Sequence, residues 1–420
     1  MKKNWVIIAL VLIIIWGFGL RIYQLDEQSY WIDEGFTLNA VLETLEKGYP
    51  VLDSGVSYSR ELLNTYLISG SVALFGFNPW AARIISVLFG TGFILLMYFF
   101  VKELFKSQKL ALITSFLISI SYWEVAWSRQ ARMYILLQFF FFASLYLFWL
   151  LLDKYSHKRL ALLFLSTIAA CLCHKFGLLL LIIYLFIGLL RFVNPLEKKK
   201  ILEARRSMTM KFIQKYKWLI FIGLIFVIPI VGIEFYKVFL TSYFENGSGI
   251  SDNFTTFLYL RGLVQFCFIP IGFTLLGLFW YIYKEKGIFS VFFLFSSYVI
   301  PFIIIIRTTN LFHLRYLVFI YPILLVFSSY FVYQILKVAS RKKYLFVIII
   351  ILLLIGVGSI SDFVYMPQIT YALEYRTPQP NFSEAYRAIY DSGWNSKTDL
   401  IVSGFTPINR IYLDDAGIWL

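Results

Sequence analysis

Charge is scarce along this chain. Lys, Arg, Asp and Glu make up only 15% of its 420 residues, whereas 60% are hydrophobic and the mean hydropathy is +0.75. A soluble domain is about a quarter charged and about half apolar, so a soluble reading is excluded. Cysteine is also nearly missing. Cys171, Cys173 and Cys267 are odd in number and all lie in apolar segments, which excludes a disulfide framework and any zinc-ligand spacing. Polarity does not alternate at every second residue, as outer-membrane strands require; runs such as 5–20 and 344–355 are continuously apolar. There is no sequence repeat, heptad array or low-complexity tract, nor the two-halves similarity that many transporters carry.

What remains is a great deal of apolar chain. At about 20 residues per membrane-spanning helix, the hydrophobic content supplies roughly ten or eleven spans. Apolar runs bounded by charge or turn residues fall at 5–22, 82–101, 110–126, 133–152, 160–174, 176–193, 218–236, 262–283, 288–306, 316–336 and 344–361. The expected fold is therefore an all-α polytopic membrane protein of about 11 helices. The run 62–80 is interrupted by Asn64, Gly70, Ser71, Gly76, Asn78 and Pro79 and reads as an interfacial or re-entrant helix within the first outer loop, 21–81.

The net charge of +14 resolves into a topology once its position is considered. With the N-terminus in the cytoplasm, the inner segments are 2–3, 102–109, 153–159, 191–217, 284–286 and 337–343. They hold 23 of the 38 Lys and Arg and five of the 24 acids, which makes the inner face +18. The outer face, with 15 bases and 19 acids, is −4. Every inner loop obeys the positive-inside rule, so the charge calls for no nucleic-acid partner. The basic loop 194–217 reads as a surface facing anionic lipid. The first helix reads as a retained anchor, because no small-residue cleavage site follows it before Arg21. Residues 1–361 form the membrane domain, and 362–420 a small extracytoplasmic segment.

Chemistry is expected in the outer segments of this integral plasma-membrane protein. Directly after the first helix comes Ser29-Tyr30-Trp31-Ile32-Asp33-Glu34-Gly35, two adjacent acids flanked by aromatics that favour the membrane interface. A carboxylate there can take the proton of a hydroxyl within hydrogen-bond reach. The alternative is that Asp33 and Glu34 cap the helix that follows. Further along lie Tyr58-Ser59-Arg60-Glu61, Arg83, and Ser128-Arg129-Gln130-Ala131-Arg132-Met133-Tyr134. On a helix, Arg129 and Arg132 would share a face. They either clamp an anion, snorkel, or pair with Glu124. Lys175 beside His174 either snorkels or binds phosphate, and Arg307, His313, Arg315 and Tyr316 form a last outer-edge cluster. Basic side chains opposite an acid pair suit an anionic lipid head group, bound through charge-assisted hydrogen bonds with its tail between helices.

These pieces resemble the GT-C superfamily of membrane glycosyltransferases, in the branch of protein O-mannosyltransferases and the aminoarabinose transferase of lipid A. The resemblance is carried by Trp31-Ile32-Asp33-Glu34-Gly35, Tyr58-Ser59-Arg60, Leu74-Phe75-Gly76, the stretch from Pro79 to Arg83, and that from Arg129 to Tyr134. Cys173-His174-Lys175-Phe176-Gly177, Arg315-Tyr316-Leu317 and Tyr321-Pro322 continue it. In the tail, 381–389 reads as a helix, and 398–403 and 411–413 as strands of a small α/β unit.

The resemblance implies a polyprenyl-phosphate-sugar donor and a hydroxyl acceptor outside the cytoplasm. A lipid monophosphate can leave while basic side chains stabilise its charge, so no cofactor is obligatory, and a divalent ion is at most a minor option at Glu34. Asp33 is then the general base and Glu34 orients the acceptor. Arg60, Arg129, Arg132, Lys175 and Arg315 bind the donor phosphate, with Tyr58, His174 and Tyr316 as hydrogen-bonding neighbours. Ser59-Arg60-Glu61 and His174-Lys175-Phe176 differ from the turns that lipid A transferases carry there, which leaves the acceptor open among lipid, glycan and protein. A transporter or flippase of lipid-linked sugars is the second reading. It requires charges along a path through the membrane centre, and few acids lie mid-span.

Overall fold

The structure, a computed structural model, describes residues 4–52, 54–193, 271–284, 288–308, 314–339, 381–394, 408 and 411–412. The helices are α1 (Asn4–Ile22), α2 (Ile32–Lys47), α3 (Leu62–Phe75), α4 (Pro79–Phe105), α5 (Gln108–Ile120), α6 (Tyr122–Ser128), α7 (Tyr134–Asp153), α8 (His157–Cys173) and α9 (Leu179–Val193). They continue with α10 (Ile271–Lys284), α11 (Ile288–Thr308), α12 (Pro322–Ala339) and α13 (Phe382–Asp391), and short 3-10 turns span Lys175–Leu178 and Leu314–Ile320. Each apolar run within these bounds is helical. The runs 218–236 and 344–361, the basic loop 194–217 and the strand expected at 398–403 lie outside the described residues. Ile411 and Tyr412, expected in a strand, are helical.

Three of the described helices, α1, α4 and α7, are long and apolar enough to cross a membrane, and a fourth span is formed if α5 and α6 count as one. The run 110–126, expected as one helix, is two, with a bend of 58° at Ser121. There the backbone leaves the helical region (ψ 123°), freeing carbonyls that lipid cannot satisfy. Arg21, at the end of α1, takes them. Its Nη1 donates to the Ser119 carbonyl at 3.1 Å and to the Gly17 carbonyl at 2.9 Å, its Nη2 to the Ile118 carbonyl at 3.3 Å, and its Nε to Ser128 Oγ at 3.1 Å. The guanidinium is wholly buried. Small residues make room for it: a Cβ at Gly90 would lie 2.2 Å from Ser128 Oγ and 3.2 Å from Arg21 Nε.

By its contacts the chain divides into two units. The first comprises 1–177, 262–286 and 314–420, and the second 178–261 and 287–313. In the first, α1, α4, α5, α7 and α8 pack as a bundle, α3 lies against α4 and α8, and α2 packs on α3. α10 lies on α12 at close range, where a Cβ at Gly277 would meet the Phe327 carbonyl at 1.9 Å and Thr274 Oγ1 lies 2.9 Å from Ser328 Oγ. Such small and hydroxylated residues are the usual membrane interface, where packing and hydrogen bonds replace the hydrophobic drive. In the second unit α9 packs on α11, which carries Pro301 within it.

α2 and α3 together turn the first loop into a platform. α2 ends at Gly48, whose φ of 82° allows its N–H to close onto the Thr44 carbonyl. α4 starts where Asn78 accepts the Ala81 N–H at 2.8 Å, with Pro79 at its first position.

Gly90→Ala should push Ser128 and Arg21 apart and lower the apparent Tm in detergent by several degrees, an overpacking cost of about 1–3 kcal/mol. An unchanged melt would show that the bend does not depend on this contact.

Candidate active site

The acid pair at the start of α2 is split between two tasks. Glu34 points inward and is wholly buried. Its Oε1 accepts from Arg83 Nε at 3.0 Å and from the Ala131 N–H at 2.7 Å. Its Oε2 accepts from Arg83 Nη2 at 2.9 Å and from the Trp31 N–H at 3.0 Å. Trp31 is the N-cap, so Glu34 performs the capping role that the sequence offered as an alternative. With both oxygens engaged, it has no lone pair turned toward an acceptor or a metal ion. Arg83 spends its remaining donors on the carbonyls of Leu25 (2.9 Å), Gln28 (2.7 Å) and Ser29 (3.1 Å). One guanidinium thus fastens the whole turn between α1 and α2.

Asp33 is turned the other way and keeps about a fifth of its side chain exposed. Its Oδ2 lies 3.0 Å from Arg315 Nη1. Among the described residues Oδ1 has no hydrogen-bond partner, so one carboxylate oxygen faces outward. Arg315 comes from the 3-10 turn before α12. Its guanidinium lies over the Trp31 ring at 5.0 Å and near the Tyr316 ring at 5.8 Å, contacts that stabilise a cation.

Behind Asp33 lies a buried network centred on Glu61. Its Oε1 accepts from Thr37 Oγ1 (2.8 Å), from Arg132 Nη1 (2.5 Å) and from the Tyr58 hydroxyl, and its Oε2 from Asn64 Nδ2 (2.8 Å). Arg132 Nη1 also reaches the Asp33 carbonyl at 2.9 Å and Tyr58 Oη at 3.1 Å. Burial first, and then the Glu61 carboxylate, pushes the Tyr58 phenol up, so it stays a donor. The network ties the first turn of α2 to α3 and to the segment before α7.

His174 and Lys175 sit at the end of α8. The His174 ring is buried against Phe176, whose N–H it accepts at Nδ1 (3.2 Å). Burial first, then Lys175, Arg132 and Arg60, holds its imidazole down to about 3. Partial burial and the neighbouring Arg60 charge lower the Lys175 ammonium. Both Arg60 and Lys175 are exposed, and neither has an ion-pair or hydrogen-bond partner among the described residues. Two like charges held near each other without a carboxylate form a locus for an anion.

Of the expected residues, Asp33, Tyr58, Arg60, Arg132, His174, Lys175, Arg315 and Tyr316 belong to one cluster. Arg129 goes elsewhere. α6 ends at Ser128, so Arg129 and Arg132 do not share a helical face. Arg129 is buried and donates to the carbonyls of Arg21 (3.1 Å), Tyr23 (2.5 Å) and Gln24 (3.1 Å). It closes the end of α1. Arg132 pairs with Glu61, whereas Glu124 is engaged by Gln138 Nε2 at 2.7 Å. Glu61 and Thr37 were not singled out as site residues by sequence reasoning. The only sequence signal for Glu61 is an acid opening an apolar helix, where it needs a buried cation.

Residues 60–232 match the family model of dolichyl-phosphate-mannose-protein mannosyltransferases. An uncharacterised protein of Aquifex aeolicus is 26% identical over 176 residues, 41% of this chain and 34% of the relative. The archaeal oligosaccharyltransferase AglB of Archaeoglobus fulgidus, solved with an inhibitory peptide and a dolichol-phosphate, superposes with a TM-score of 0.63 at 14% identity. That match covers 99% of this chain and 64% of AglB. ArnT of Cupriavidus metallidurans, solved with undecaprenyl phosphate, gives a TM-score of 0.54 at 14% identity over 78% of this chain and 60% of ArnT. The chain thus spans about a third of the curated relative and less than two thirds of these solved proteins.

Two tests follow from the geometry. Arg83→Leu leaves Glu34 buried without its cation and should cost about 3–5 kcal/mol, seen as loss of monodisperse protein. Adding Glu34→Gln should recover part of it, and a double variant as unstable as the single one would contradict the pairing. For His174, the unfolded chain takes up a proton near pH 6.5 while the folded one resists until about pH 3. More protons are then bound when unfolded, so this residue subtracts stability as pH falls through that window. Between pH 7 and 5 the apparent Tm of His174→Asn should fall less than that of wild type, and parallel losses would refute the assignment.

Proposed function

We propose that this chain, by fold a GT-C membrane glycosyltransferase, moves a sugar from a polyprenyl-phosphate donor to a hydroxyl acceptor on the extracytoplasmic face. The observation that carries the reading is the pairing of chemistries in one cluster. Asp33 keeps one carboxylate oxygen without a hydrogen-bond partner among the described residues, and the exposed cations Arg60 and Lys175, which have no ion-pair or hydrogen-bond partner among those residues either, belong to the same cluster. The family-model match and the lipid phosphates bound by AglB and ArnT support it. The charge distribution along the chain supports the orientation, with the N-terminus in the cytoplasm and 21–81 outside.

In this reading Asp33 Oδ1 accepts the proton of the acceptor hydroxyl as its oxygen attacks the anomeric carbon. The bond from that carbon to the phosphate oxygen breaks on the opposite face, so configuration inverts. The lipid phosphate leaves with the electron pair, and Arg60 and Lys175 offset its charge. Arg315 holds Asp33 in place from its stacked position and is the third cation within reach of the phosphate. His174, whose Nδ1 accepts the Phe176 N–H, offers Nε2–H as a donor, Tyr58 holds Glu61 and Arg132 in place, and Tyr316 frames Arg315. Arg132 and Glu34 act by positioning the first turn of α2. Because the leaving group is a monophosphate met by side-chain cations, the step as written needs no metal.

Purified protein given a radiolabelled polyprenyl-phosphate hexose should release polyprenyl phosphate, by transfer or slow hydrolysis. Asp33→Asn should lower the rate by about a hundredfold or more while donor binding is retained. Lys175→Ala and Arg60→Ala should each weaken donor binding by about tenfold. An Asp33→Asn protein with wild-type turnover would remove the base, and unchanged donor affinity in both cation variants would remove the phosphate site. No release from any sugar tried, with acceptor-containing membranes present, would overturn the transferase reading.

A further inference from the structure

The C-terminal segment reaches back, over more than 350 positions of sequence, to the turn that precedes Asp33. Phe382 and Tyr386 of α13, together with Ile408, are buried against Tyr30, Leu38 and Val41. At the centre of this contact is the Tyr412 hydroxyl. It accepts the Tyr30 N–H at 3.1 Å and lies 3.2 Å from Ser29 Oγ and 2.8 Å from Ser383 Oγ. A phenol has one proton and two lone pairs, so these three partners use its whole capacity. Ser29 Oγ in turn accepts the Ser383 N–H at 3.2 Å. The Tyr412 ring is stacked on Tyr386 at 5.2 Å and 10°, which fixes where the hydroxyl points.

The geometry points to Tyr412 as a positioning residue for Asp33. The turn it grips is also held by Arg83, through the carbonyls of Gln28 and Ser29 and by lying 5.0 Å from the Tyr30 ring. Trp31, the next residue, is both the N-cap of α2 and the ring beneath Arg315. A shift at Tyr30 therefore moves the cap, the Arg315 stack and the Asp33 carboxylate together. Arg83 secures carbonyls and Tyr412 secures an N–H, so neither substitutes for the other. A displacement of the reacting group by even about 1 Å is enough to slow a reaction severely. The proposal rests on Asp33 being the base, and it adds that the far end of the chain sets the aim of that base.

Tyr412→Phe removes one oxygen and keeps the ring stacked, so the full-length protein is the right vehicle. Amide hydrogen exchange across 28–33 should quicken by about tenfold, while 382–391 stays as protected as in wild type. With a polyprenyl-phosphate hexose, kcat should fall about tenfold with the donor KM unchanged. Ser383→Ala, which leaves the Tyr30 bond in place, should lie near wild type in both measurements. Unchanged exchange across 28–33 in Tyr412→Phe overturns the proposal. So does a loss in Ser383→Ala equal to that in Tyr412→Phe, or a collapse of protection throughout 382–391, which would mark a purely structural role. If wild-type protein shows no turnover, the proposed function has failed, and the exchange measurement still decides whether Tyr412 holds the turn.

Discussion

The pairing of Glu34 with Arg83 is the constraint on which the rest of the site depends. Both groups are wholly removed from solvent and joined through two hydrogen bonds. Such a pair adds little net stability, because desolvation consumes most of the attraction. Its value is that each partner also satisfies backbone. Glu34 holds the N–H groups of Trp31 and Ala131, and Arg83 holds three carbonyls of the turn after α1. Three separate stretches of chain are brought to one point. Glu34 is committed inward, and the acid before it, Asp33, sits about 100° around the helix, where it meets Arg315 and keeps partial exposure.

The same use of cations for backbone recurs around the site and decides which of them are engaged by the chain itself. Arg21 satisfies the carbonyls opened by the bend at Ser121, and Arg129 those at the end of α1. Arg132 is paired with Glu61 and holds the Asp33 carbonyl. In a membrane setting each unsatisfied carbonyl is costly, so a guanidinium with five donors suits these junctions better than an ammonium. Arg60 and Lys175 lie outside this scheme. They press on one another and on His174, and an anion would relieve them.

Close packing makes room for these buried cations. Gly90 lets Ser128 approach α4, and without that approach Arg21 would lose its Nε acceptor. Among the C-terminal residues, Tyr412 grips the same turn that Arg83 holds through its carbonyls. Helix bend, acid pair and tail are thus parts of one arrangement around a short stretch after α1.

Hydropathy and the placement of Lys and Arg determined, from the sequence alone, a membrane protein of many apolar helices and a polar first loop after the first of them. Burial in lipid and the alternation of sides leave few other solutions. The helix at 62–75 was legible as well, from the turn residues that bound it, and so was the one at 381–389, whose start the structure caps with Asn381. Tertiary structure alone decided that Glu34 is a cap and ion-pair partner, that Arg129 closes α1, and that Glu61 anchors Arg132. Whether a charged side chain faces a ligand or a buried carbonyl depends on partners distant in sequence, Arg83 for Glu34 and Tyr23 for Arg129. No local pattern encodes those meetings, because residue type fixes what a group can bind and only the packed chain fixes what it meets.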